Sequence, residues 1–390
     1  MGEDSLSGST RLLRAGRPHV GWVNTPVTRA STYVFESVSH WRQTRTVREE
    51  QRVASYGARG TDSTFALEDA LVELEGGHRA QLFPTGQAAI ANVMLGLLQP
   101  GDHVLVTDAV YEPVRRFCAK HLARLGINVE FYMPDGSDLA ARLRPETKLI
   151  YAECPGSLVF EMIDLPAVAE LARRCGCLLA VDNTWGSGLL YRPLSLGADI
   201  SVLAATKYLS GHADVMMGAL VTNERAWKAV HLASVDFGQT VGADDAYLVL
   251  RGLRSLAPRM AMHERHAMLV AQWLEQQPQV TRVICPALPN HPGHELWRRD
   301  FHGTNGLLSV EFRSEYAQAD VEAAVDRLRL FGVGASWGGF ESLVVPTDMA
   351  KARTISDWSQ RGRVVRLHIG LENPEDLIAD LRQAFRSLEA

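Results

Sequence analysis

Three places in the chain put a reactive group where an apolar run stops. Lys207 follows "SVLAAT" (201–206), Asp182 follows "LLAV" (178–181), and Gly86-Gln87 follow "LFPT" (82–85) where a helix reads as starting. A lysine amine whose charge is discouraged by its surroundings attacks carbonyls and takes protons. A carboxylate holds a cation, and the free N–H groups of a helix start hold a phosphate. Singly, each has a plainer reading: a solvated lysine, a turn aspartate ahead of Asn183-Thr184, an ordinary helix start. Together they match what pyridoxal phosphate requires, an amine for its aldehyde, a carboxylate for its pyridine nitrogen and a cradle for its phosphate. No other phosphate motif competes, since "GLRSLAP" and "GVGASWGG" fit neither GxGxxG nor the P-loop pattern.

These groups need a sheet to aim them. From "FALEDALVELEGG" to about residue 245, helical spacing alternates with the short apolar runs "RAQLF", "HVLVTD", "NVEFYM", "KLIYAE" and "LLAVDN". That alternation predicts an α/β layer with a mostly parallel sheet, whose ligands collect at the carboxyl ends of the strands. Phe65, Leu67, Ala70, Leu71 and Leu74 predict a helix stopped at Gly76-Gly77. Beyond 245 the pattern changes to a long helix interrupted near Pro258, then to a smaller α+β unit. In "VVRLHIG", Val365, Leu367 and Ile369 take one face of a strand, and Val364, Arg366 and His368 the other. Residues 1–58 read as irregular, with one strand-like piece at "STYVFES", and lack the apolar content for a core of their own. The expected division is an extended arm (1–58), a cofactor-binding α/β domain (59–245) and a C-terminal α+β domain (246–390).

The blocks "YGARGT", "FPTGQAAIANVML", "VDNTW", "AATKYLSGHADVMMGA", "ASWGGFESL" and "VRLHIGLE" resemble the Cys/Met-metabolism family of pyridoxal-phosphate enzymes, and the likeness runs from "TPVTRASTYVFES" to the last helix. The resemblance implies the fold type I architecture of pyridoxal-phosphate-dependent transferases. It makes Lys207 the cofactor-bonded lysine, Thr206, Gly86 and Gln87 phosphate ligands, Asp182 the partner of the pyridine nitrogen, and Tyr111 the aromatic residue on the ring. It makes Arg366 the clamp on the substrate carboxylate, with Ser336 and Trp337 in the substrate wall. Tyr56 and Arg59 fall in a segment that reaches a neighbouring subunit's site, which implies a homodimer, assembled further into a dimer of dimers. Family members often read Tyr-x-Arg there; this chain has Ala58 at the second position after Tyr56, so the phosphate role passes to Arg59 beside it. Where many γ-acting relatives carry "ESPTNP", this chain has "ECPGSLVF", which resembles the β-lyase branch. The implied reaction is α,β-elimination of L-cystathionine to homocysteine, pyruvate and ammonia, a step of methionine biosynthesis, with Lys207 as base and Tyr111 assisting. Still open are a broader cysteine-S-conjugate lyase or desulfhydrase, a γ-acting lyase or synthase, and a non-catalytic regulator on the same fold.

Bulk properties narrow the partners. A formal charge of −5 argues against general nucleic-acid binding, although arginines gather between Arg11 and Arg59. The five cysteines show no metal-ligand spacing with histidines, and His212 and His263 stand without ligand partners, so no metal is expected. Reduced thiols, no run long enough to span a bilayer, and no apolar core in "MGEDSLSGSTRLLRAGR" together give the expectation of a cytoplasmic protein.

Overall fold

The structure, a computed structural model, describes residues 6–18, 20–359 and 361–388. Seven strands form the larger sheet: β1 (Arg79–Phe83), β2 (His103–Thr107), β3 (Asn128–Tyr132), β4 (Thr147–Glu153), β5 (Leu178–Asp182), β6 (Ile200–Ala204) and β7 (Gly218–Thr222). Their order is β1-β7-β6-β5-β4-β2-β3, and β2 to β6 run parallel. β7 is antiparallel to both β6 and β1, so β1 points the same way as the parallel set. Six strands therefore end on one edge, and the loops after Phe83, Thr107, Glu153, Asp182 and Ala204 leave from it.

The strands are apolar throughout because both faces are covered. Leu149 and Tyr151 of β4 join Val104 and Val106 in a core on one face, while Ile150 and Ala152 join Leu105 and Leu179 on the other. Alternate residues thus lock the register, since a slip of one residue would exchange the two faces.

A second sheet follows, built from β8 (Val280–Ile284), β9 (Leu307–Phe312), β10 (Gly332–Val333), β11 (Leu343–Thr347) and β12 (Val364–His368) in the order β10-β11-β12-β9-β8. Val365, Leu367 and Ile369 are buried in its core, as the alternation in "VVRLHIG" predicts, which leaves Arg366 and His368 on the opposite face.

Three local expectations are corrected. The helix before Gly76 starts earlier than its apolar spacing suggests, at Asp62, because Thr64 Oγ1 accepts the Thr61 N–H at 2.8 Å and closes the first turn. The long helix after residue 243 breaks at Arg254-Ser255 and not at Pro258. Pro258 lies in the first turn of the helix Leu256–Leu274, where its missing N–H has no intrahelical acceptor to lose. In the arm, "STYVFES" forms no strand beyond a single bridge from Thr32 to Tyr56, whereas Gly8–Arg14 and Val38–Val47 are helices. Leu12 is buried in the large-sheet core, and Arg254 donates to Leu12 O and Ala15 O, both at 2.7 Å, so the first helix is docked. Among the described residues, no helix is long and apolar enough to cross a membrane.

Candidate active site

The strand-end loops enclose a cleft of about 300 Å³, open at its mouth, against the face of β12 that carries Arg366. Gly86, Gln87, Tyr111, Asp182, Thr206, Lys207, Trp337 and Arg366 all line it.

Its floor is a helix start. Thr85 caps the helix Gly86–Leu97 by accepting the Ala88 N–H at 3.0 Å, which leaves the N–H groups of Gly86 and Gln87 without intrahelical acceptors. Only glycine fits at 86, since a Cβ there would stand 2.9 Å from the Ala204 Cβ. Gln87 Oε1 is buried without a partner. The Thr206 hydroxyl is already engaged: it accepts the Met217 N–H at 3.0 Å and donates to Met217 O at 3.2 Å. To donate to an anion it must turn its proton away from that carbonyl.

Asp182 is buried at the end of β5. Burial pushes its carboxyl pKa up, while the Thr184 hydroxyl and N–H (3.0 Å to Oδ1) and the charge on Lys207 work the other way. In register beside it on β4 is Glu153, which accepts the Tyr111 N–H at 2.7 Å. Burial, and then the Asp182 charge, push the Glu153 pKa well above its ordinary value, against the Tyr111 N–H and the Arg353 charge. Glu153 was missed from sequence, yet it carries the same signal as its neighbours: "KLIYAE" is an apolar run ending in a charge. Tyr111 precedes the helix Glu112–Phe117, and burial together with Asp182 and Glu153 raises its phenol pKa, so it stays a proton donor.

Lys207 faces these groups. Burial, and then the Arg366 charge, lower its pKa to about 8 against the opposing pull of Asp182. Its Nζ donates to Ser336 Oγ at 2.8 Å and stands 5.3 Å from the centre of the Trp337 ring. Arg366, lowered by burial to about 10, stays charged at neutral pH and donates to Ala335 O (3.0 Å) and Ser336 O (3.2 Å). Gly338 (φ +88°) lets the 336–339 loop lie directly on Lys207, since a Cβ there would meet the Tyr208 N at 2.7 Å.

Tyr56 and Arg59 are not brought to this cleft within one chain. Tyr56 is 52% exposed and Ala58 is also exposed, whereas Arg59 turns inward and pairs with Glu49 at 2.9 Å.

The cleft thus offers an amine near neutrality, a buried carboxylate and a helix start pressed close by a glycine, and this set fits pyridoxal phosphate. The family of Cys/Met metabolism PLP-dependent enzymes matches residues 9–386. The chain belongs to that family. Cystathionine beta-lyase of Bordetella avium is 48% identical over 93% of this chain and 91% of its own length. Cystathionine beta-lyase MetC of Escherichia coli is 42% identical over 96% of this chain and 97% of its own. The crystal structure of metB from Corynebacterium glutamicum superposes with a TM-score of 0.90 at 30% identity and covers the whole of both chains. As a member of this pyridoxal-phosphate-dependent family, the chain has the fold type I arrangement expected from its sequence.

Proposed function

We propose that the chain is a cystathionine β-lyase, converting L-cystathionine and water to homocysteine, pyruvate and ammonia. The reading rests on the placement of Lys207 Nζ, hydrogen-bonded to Ser336, beside Trp337 and near Arg366, in a chain 48% identical to a protein of that activity. Lys207 would hold the cofactor, Asp182 would face its ring nitrogen and keep it protonated, and Gly86, Gln87 and Thr206 would hold its phosphate. Pyridoxal phosphate, when bound, supplies the sink for charge developing at the substrate Cα. Arg366 offers the substrate carboxylate a planar fork. Lys207 Nζ, with its proton affinity lowered by burial, takes the Cα proton and returns one to the departing sulfur. Ser336 Oγ fixes where that nitrogen sits, and Tyr111, which lines the same cleft, would orient the cofactor ring.

The same reading assigns residues 1–58 to an arm, 59–245 to the cofactor-holding unit and 246–390 to the C-terminal unit. A second copy of the chain covers the arm, which exposes Val20 (91%), Trp22 (78%) and Val34 (87%). In that assembly Tyr56 reaches the neighbouring cleft. Arg59 is already spent on Glu49, so Ala58 leaves the neighbour's phosphate without an arginine from this turn.

The test is the keto acid made from cystathionine by the purified, cofactor-loaded protein. Pyruvate is expected; 2-oxobutyrate, or no keto acid, overturns the reading.

A further inference from the structure

One wall of the cleft is built in a conformation its residues disfavour. In the loop Cys154–Glu161, Leu158 (φ +73°) and Phe160 (φ +54°) occupy the left-handed region, where a Cβ crowds the following carbonyl. Both line the cleft, and neither is glycine or asparagine. The loop's own hydrogen bonds, Gly156 N–H to Glu161 O (2.8 Å) and Phe160 N–H to Gly156 O (3.0 Å), close a tight turn around them.

Something outside the loop must hold it, and most of the contacts come from the C-terminal half of the chain. The Arg353 side chain has 0% exposure. Its Nε and Nη2 bind both oxygens of Glu161 (2.8 and 2.7 Å), and Nη2 also donates to Ser157 O (2.5 Å). Ser309 on β9 donates to Leu158 O at 2.6 Å. The next residues are anchored too: buried Asp108 accepts the N–H groups of Thr354 (2.9 Å), Ile355 (3.0 Å) and Ser356 (3.2 Å) and the Arg115 guanidinium (3.0 Å). The Ser157 N–H, bonded to Ala109 O at 2.8 Å, ties this wall to the loop that carries Tyr111.

We propose that Arg353 is a positioning residue for substrate recognition. Its fork on Glu161 and Ser157 holds the 156–161 wall so that Leu158 and Phe160 present an apolar face to the departing arm of the substrate. This rests on the β-lyase reading for the identity of that arm. A lysine at 353 keeps the charge but, as a point donor, cannot span both Glu161 oxygens and the Ser157 carbonyl at once. The wall then relaxes out of the left-handed region. Asparagine tolerates that region and approximates leucine in size, so Leu158→Asn lowers the cost of the native loop without the clamp.

The experiment compares the wild type, Arg353→Lys, Leu158→Asn and the double variant, each loaded with cofactor. The readouts are kcat and KM on cystathionine, and amide hydrogen exchange across 156–161. Arg353→Lys is expected to lower kcat/KM about tenfold or more, chiefly by raising KM, with cofactor loading unchanged and exchange in the wall faster. The double variant is expected to exchange across 156–161 as slowly as Leu158→Asn, while its kcat/KM stays low because the apolar side chain at 158 is gone. Exchange and kcat/KM like wild type in Arg353→Lys, or a double variant whose 156–161 amides exchange as fast as those of Arg353→Lys, would overturn the proposal. A wild type that makes no keto acid refutes the β-lyase reading instead, and the exchange comparison still decides whether Arg353 holds the wall.

Discussion

Lys207 Nζ donates a hydrogen bond to Ser336 Oγ at 2.8 Å, joining positions 129 residues apart and setting where the amine of the cleft points. A hydrogen bond to a charged group contributes about 1.5–3 kcal/mol. Ser336→Ala is therefore expected to lower kcat about ten- to a hundredfold, while cofactor content, read from visible absorbance, stays at the wild-type level. A fall in cofactor content with kcat per loaded site unchanged would assign Ser336 to cofactor holding.

Asp182→Asn keeps the size of the side chain and removes the carboxylate at the end of β5. Loss of a buried electrostatic partner of the reacting centre costs about a hundred- to a thousandfold in kcat. Glu153→Gln keeps an acceptor for the Tyr111 N–H and is expected to stay within about threefold of wild type. Equal losses in the two variants would contradict the assignment of the ring-nitrogen role to Asp182 alone.

Burial lowers the Lys207 pKa from its ordinary value to about 8. Only the neutral amine attacks an aldehyde, so the rate at which the apoprotein takes up pyridoxal phosphate should rise with pH through about 8 and then level off. The same depressed value means that the folded state binds fewer protons here than the unfolded chain between about 8 and 10.5. Lys207 therefore weighs against apoprotein stability below that window, and the penalty is relieved as pH rises through it. Lys207→Met should flatten both dependences. An uptake midpoint near 10.5 would mean that the amine is as solvated as a free lysine.

Tyr56 is exposed in its own chain and is assigned to the cleft of a second copy. Tyr56→Ala and Lys207→Ala, each nearly inactive alone, should therefore regain activity when unfolded together and refolded. Random pairing in a symmetric dimer restores about a quarter of the wild-type sites. No recovery would place Tyr56 outside the neighbouring cleft.

The parallel sheet and its reactive edge were legible because each strand is a short apolar run that ends in a polar residue. Lys207, Asp182 and Gly86 could be read from that pattern alone. Glu153 obeys the same rule and was overlooked, because the resemblance supplied no role for it. The Ser336–Lys207 bond and the Arg353 clamp on the 156–161 loop were not legible. They join segments 129 and 192 residues apart, and local sequence carries no sign of which distant segment will pack against a strand end. The helix break at Arg254-Ser255 was misplaced because a proline in a first turn looks, in sequence, like a proline that ends a helix. In the arm, β-branched and aromatic residues at Thr32, Tyr33 and Val34 suggested a strand, but only Thr32 finds a bridging partner, and it is in Tyr56 of the same chain.

The most direct measurement is to trap the cofactor where it is attached. The chain has five lysines, Lys120, Lys148, Lys207, Lys228 and Lys351, and among the described residues only Lys207 lines the cleft. Borohydride reduction of the cofactor-loaded protein, followed by peptide mass mapping, is expected to leave the pyridoxyl tag on Lys207. A tag on any of the other four, or a loaded protein that takes no tag, would contradict the site described above.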